Sequence, residues 1–136
     1  MPHLITFSSS KFDLSQETPN TINPLGGESL LEWLREELGS HGWSSTRPDI
    51  EDWGWYMDVS KAGAVYLVGA TGEAQAEADA SSVVDWCLQL HRKRSLKERV
   101  LGRGKLAKQD ELFELLRSVI QGEAQFLEVS VELNAD

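Results

Sequence analysis

Three runs of this chain place an apolar side chain at every second residue. They are Trp53, Trp55, Met57 and Val59; Val84, Trp86, Leu88 and Leu90; and Leu127, Val129, Val131 and Leu133. Successive residues of an extended chain point to opposite faces, so each run reads as a strand with one dry and one wet face. The intervening residues fit that reading: Gly54, Tyr56, Asp58 and Ser60 in the first run, Asp85, Cys87, Gln89 and His91 in the second, Glu128, Ser130 and Glu132 in the third. Strands of a parallel sheet are apolar on both faces, whereas this alternation belongs to an antiparallel sheet with one face covered.

The rest of the chain supplies the cover. Leu30, Leu31, Leu34 and Leu38 recur at helical spacing after Glu28-Ser29 and end at Gly39. Ser95 is placed to cap a short helix reaching Leu101, broken by Gly102-Arg103-Gly104. Asp110 is placed to start another, whose Leu112, Leu115, Leu116, Val119 and Ile120 form a wide stripe. A short strand is expected at residues 3–7, a weaker one at 43–47, and another at 64–71 after the turn Lys61-Ala62-Gly63. Residues 72–81 read as a loop or loose helical turn. Residues 8–27, with Pro19, Pro24, Gly26 and Gly27, read as an irregular lead-in. The order predicts an α+β fold: an antiparallel β-meander sheet covered on one face by about three helices, a two-layer sandwich. Its expected core contains Leu34, Trp53, Trp55, Trp86, Leu88, Leu116, Val129 and Val131.

A length of 136 residues fits a single α+β domain spanning 1–136. Cys87 is the only cysteine, which forbids an internal disulfide and suits a reducing compartment. The N-terminus MPHLITFSSS lacks the basic region and apolar run of a secretory leader, and no apolar stretch approaches the ~20 residues of a membrane span. The expectation is a soluble, cytoplasmic, bacterial-type protein. Net charge is −9. Residues 91–105 hold seven of the thirteen Lys and Arg against one acid, Glu98, a net +6 that leaves −15 on the remainder. Such an acidic chain repels phosphate backbones and anionic membranes, which argues against nucleic-acid and membrane partners.

Two surfaces merit attention. The stretch IEDWGWYMDV, residues 50–59, puts Tyr56 and Asp58 on the wet face of its strand, near Asp49, Glu51 and Asp52. Aromatics ringed by acids suit a cationic group. The competing reading is packing, with Trp53, Trp55 and Trp86 beneath the helices and the acids solvating the rim; period-2 apolar spacing more often means packing. The second surface is the basic segment, where Arg92, Arg94, Lys97, Arg103 and Lys105 could clamp an anion or an acidic partner. Its competing reading is internal pairing with Glu32, Glu36 and Glu37 of the first helix.

No metal or cofactor is expected. The acids do not follow a calcium-loop spacing, and one cysteine with scattered His3, His41 and His91 makes no zinc site. Cys87 and His91 share a strand face but lie ~13 Å apart along it, too far for a catalytic dyad. Gly102-Arg103-Gly104-Lys105 lacks the phosphate-loop pattern. The expectation is a non-enzymatic protein–protein interaction module, an adaptor, inhibitor or immunity-type protein, docking on a basic partner. The alternative is a binder of, or enzyme acting on, a small anionic ligand held by residues 91–105.

Overall fold

The computed structural model describes residues 2–74 and 83–135. The elements run β1 (His3–Ser9), α1 (Glu28–Gly39), β2 (Ser44–Ser45), β3 (Asp49–Glu51), β4 (Gly54–Lys61), β5 (Ala64–Ala74), β6 (Val84–Lys93), α2 (Leu96–Val100), α3 (Glu111–Gly122) and β7 (Leu127–Glu132). The strands form one seven-stranded sheet in the order β2-β4-β5-β6-β1-β7, with β3 also pairing β4. Every pairing is antiparallel. Strands β4, β5 and β6 are the expected meander, while β1 returns between β6 and β7. Three helices pack against the sheet, α1 and α3 through apolar faces and α2 through polar contacts. The fold is the α+β two-layer sandwich that the alternation predicts.

The inner face carries Ile5, Met57, Val59, Val68, Trp86 and Leu88, all nearly inaccessible to solvent. Onto them α1 sets Leu30, Leu31, Leu34 and Leu38, and α3 sets Leu112, Phe113, Leu116 and Ile120. Burying each such side chain stabilises by about 1.5–3 kcal/mol. Trp55, Trp86, Leu34, Leu88 and Leu116 are core as expected, and Val129 and Val131 pack against it half-buried. Trp53 departs from the expected core. Glu51 pairs with Gly54 across a two-residue turn, so β4 begins at Gly54 and Trp53 precedes it. That turn resets the alternation, and Trp53 lies on the outer face instead.

Two further boundaries differ from the sequence reading. Strand β5 continues to Ala74, so Gly72–Ala74 is not loop; the rest of that expected loop lies outside the described residues. The weak strand expected near 43–47 is reduced to β2, and β3 is a further strand that the sequence reading did not place.

Within the lead-in, Ser8 and Ser9 complete β1 and Leu14–Gln16 form a 3-10 turn. The remainder is held by side-chain bonds. Asn20 Nδ2 donates to the carbonyls of Glu51 and Gly54 at 3.1 and 3.0 Å, and Asn23 Nδ2 to that of Asp52 at 2.8 Å. Gly26 and Gly72 exchange backbone bonds of 3.0 and 2.8 Å. The Glu17 carboxylate accepts from the Gly27 and Ser29 amides at 3.1 and 2.8 Å and from the Ser29 hydroxyl. Gly27 has no side chain to cap α1, so a carboxylate ten residues upstream satisfies its open N–H groups.

At the far edge, β7 pairs only with β1 among the described residues. Their register shifts between Thr6 and Ser8, and Glu128 takes the left-handed conformation at φ 56°. This is a bulge in the edge strand.

Candidate functional site

Among the described residues, no helix stripe covers the outer face of the sheet. Its β4 end is built around the turn Asp52-Trp53. Thr71 donates its hydroxyl to the Trp53 carbonyl at 2.6 Å, which holds the turn against β5. The indole then lies across Gly69, where a Cβ would come within 2.5 Å of the ring. Gly69 is therefore the residue that lets this tryptophan ring approach the strand so closely. Gly69 pairs with Tyr56, so the half-buried Trp53 and Tyr56 occupy neighbouring positions of the same face.

Acids surround the two rings. Asp49 pairs with Tyr56 and Glu51 with Gly54, which places both acids on the outer face. Asp52 is exposed at the turn. Asp58, two residues beyond Tyr56, meets the Lys93 ammonium at 2.9 Å. Among the described residues, Asp49, Glu51 and Asp52 make no ion pair, so the patch keeps net negative charge. Asp52, Tyr56 and Asp58 thus fall in one surface, with Trp53 added. Sequence periodicity missed Trp53 because its apolar spacing continues unbroken into β4. The signal that was there is Gly54, whose φ of 145° suits glycine and marks a turn within an apparent strand.

The basic residues do not converge. Arg92 lies on the inner side of β6, its guanidinium 5.2 Å from the Tyr66 ring centroid. It donates to Glu98 Oε2 at 3.1 Å and to the Val65 carbonyl at 3.2 Å. Arg94 donates to the Arg103 carbonyl at 2.9 Å. Both serve to fasten α2 and the loop after it. Lys97, Arg103 and Lys105 are exposed and make no ion pair among the described residues. Internal pairing of the segment runs to Glu98 and Asp58; among the described residues no ion pair joins it to Glu32, Glu36 or Glu37.

Two concavities are acid-lined. The larger, of about 740 Å³, includes Leu14, Glu17, Asn20, Leu25, Glu73 and Asp85. The smaller, of about 390 Å³, includes Thr6, Ser8, Thr71, Cys87 and Glu128. Neither is lined by a residue of the basic segment. Burial pushes the Cys87 thiol up, with Glu132 adding to the shift, which disfavours the reactive thiolate. His91 shares the face with Cys87 but hydrogen-bonds Gln89 at 2.7 Å, and burial holds its imidazole below the ordinary value. No group of three or more potential metal ligands occurs among the described residues. No helix among them is long and apolar enough to cross a membrane.

Compared with known proteins, the chain matches no family, and no curated protein or solved structure matches it.

Proposed function

We propose that this protein is a non-enzymatic interaction module, an adaptor, inhibitor or immunity-type protein of a bacterial cytoplasm, that receives a basic partner on the outer face of its sheet. The observation that carries this reading is the position of Trp53. Its ring lies on the outer face beside Tyr56, within the acids Asp49, Glu51 and Asp52. Aromatic rings provide large contact area at low entropic cost, and their faces attract Lys and Arg. Surrounding acids raise the rate of encounter and reject acidic competitors. The alternative of a small anionic ligand on residues 91–105 has less support, because Arg92 and Arg94 face internal partners and neither concavity adjoins the segment.

The test is capture from the native source at low salt, comparing wild type with a Trp53→Ala/Tyr56→Ala variant and an Asp49→Lys/Asp52→Lys variant. A basic protein retained by wild type and lost by both variants, at unchanged melting temperature, supports the reading. Equal retention by all three, or no retained protein, counts against it.

A further inference from the structure

Helix α2 buries no side chain. Leu96 and Val100 are 78% and 76% exposed, and the adjoining Leu101 is 51% exposed. Single exposed aliphatics are ordinary on any surface, but these three fall within six residues. Leu96 and Val100 stand four apart, on one face of the helix. A helix this short does not persist in water by itself, nor does hydrophobic packing anchor this one.

Polar bonds brace it instead. Ser95 and Glu98 form a reciprocal capping box. Arg92 reaches Glu98 Oε2 at 3.1 Å, Arg94 reaches the Glu98 carbonyl at 3.4 Å, and the Arg103 amide donates to that carbonyl at 2.7 Å. Gly104, at φ 73°, lies so close to the Glu98 carboxylate that a Cβ would collide with it. Polar bonds alone therefore fix in place an element whose apolar side faces solvent. Lys97 and Arg99 neighbour that side along the helix, and Arg103 and Lys105 follow in the next loop; all four are exposed and without ion pairs among the described residues.

We propose that α2 is a second docking element, whose Leu96–Val100–Leu101 ridge receives an acidic amphipathic helix of a partner protein. The ridge supplies apolar contact at helical spacing, and the surrounding cations select acids flanking the partner's apolar stripe. A second copy of α2 is a poor occupant, because it brings the same cations into contact. An anionic bilayer attracts the cations but repels the −15 carried by the rest of the chain. This surface is separate from the Trp53 and Tyr56 patch and opposite to it in charge.

The test uses three probes on the full chain: a synthetic amphipathic helical peptide with a leucine stripe flanked by Glu, a scrambled peptide of equal charge lacking the stripe, and phosphatidylserine/phosphatidylcholine vesicles. The expected result is saturable binding of the first peptide alone. Affinity should fall about tenfold or more in Leu96→Ser/Val100→Ser, and with salt raised from about 0.05 to 0.5 M as the Debye length shrinks. Lys97→Glu/Arg99→Glu should lose binding too. The affected side chains are exposed, so unchanged melting is the control. The Trp53→Ala/Tyr56→Ala variant should bind the peptide as wild type does, which separates this proposal from the function proposed above. Equal binding of the scrambled peptide, binding to vesicles only, or wild-type affinity in Leu96→Ser/Val100→Ser would overturn it.

Discussion

Trp86 and Trp53 show how little of a tryptophan's role its identity decides. Trp86 is 2% exposed, packs edge-on against Phe12 at 5.7 Å between ring centroids, and fills the space left by Gly72 opposite. Its Nε1 has no hydrogen-bond partner among the described residues, so its contribution is apolar packing. Trp86→Ala is expected to destabilise by about 3–5 kcal/mol, read as a shift in denaturant midpoint. Trp53 is held over Gly69 at the surface, and Trp53→Ala should cost less than half as much. A larger loss for Trp53→Ala than for Trp86→Ala would reverse the two assignments. Glu17 is the third instructive residue. Glu17→Ala removes the only side-chain acceptor at the start of α1 among the described residues and should cost about 0.5–2 kcal/mol. Faster amide exchange at Gly27 and Ser29, with α3 unaffected, would locate the loss at that end.

Elements were legible where a local pattern and a local signal agreed. Helix α3 has both: Leu112, Leu116 and Ile120 of its stripe are buried with Leu115 and Val119 half-buried beside them, and Asp110 caps Phe113 at 3.0 Å as its position suggests. The second oxygen of Asp110 takes the Tyr66 hydroxyl at 2.6 Å, a bond between residues far apart in sequence that no local pattern announces. Burial and that contact push the Tyr66 phenol well up. Likewise Glu17 reads as one acid in a polar loop until the fold brings it to α1. The Trp53 error has the opposite cause: the alternation was real but crossed a turn. For the candidate site, Asp52, Tyr56 and Asp58 were readable because strand parity assigns faces without tertiary knowledge. The scatter of the basic residues was only partly readable: the parity of β6 already turns Arg92 inward, but its contacts with Tyr66 and Glu98 follow no local pattern. Helix α2 carries its own pH prediction. The Ser95 backbone N–H, followed by the charge of Arg92, holds the Glu98 carboxyl below its usual range. Its folded value is thus lower than its unfolded one. The bracing is complete above the ordinary Glu value and is lost as pH falls through the folded value beneath it. Amide signals of residues 96–100 should broaden or shift there in wild type and show no such pH step in Glu98→Gln.

For the whole molecule, the two surfaces differ in sign and lie on different sides of the sheet. The acidic patch sits on the outer face and α2 is tied to the inner side of β6, so one partner would not obstruct the other. If both proposals hold, the protein is a bridge between a basic and an acidic partner, and salt near physiological strength weakens both contacts together. The edge strand has a different consequence. An antiparallel sheet ending in a free strand is a template on which a copy of the chain can add itself, and addition of this kind has no natural stop. The bulge at Glu128 bends that template, and Glu128 and Glu132 set like charges against any approaching twin. Charges and bulges of this kind disfavour strand addition at an edge. Replacing Glu132 with Val and Glu128 with Asn, which tolerates the left-handed conformation without the charge, should leave the chain folded yet turn concentrated solutions turbid, with growing scattering and a cross-β diffraction spacing of about 4.8 Å. Clear solutions of the double variant would show that the backbone kink alone keeps the sheet finite.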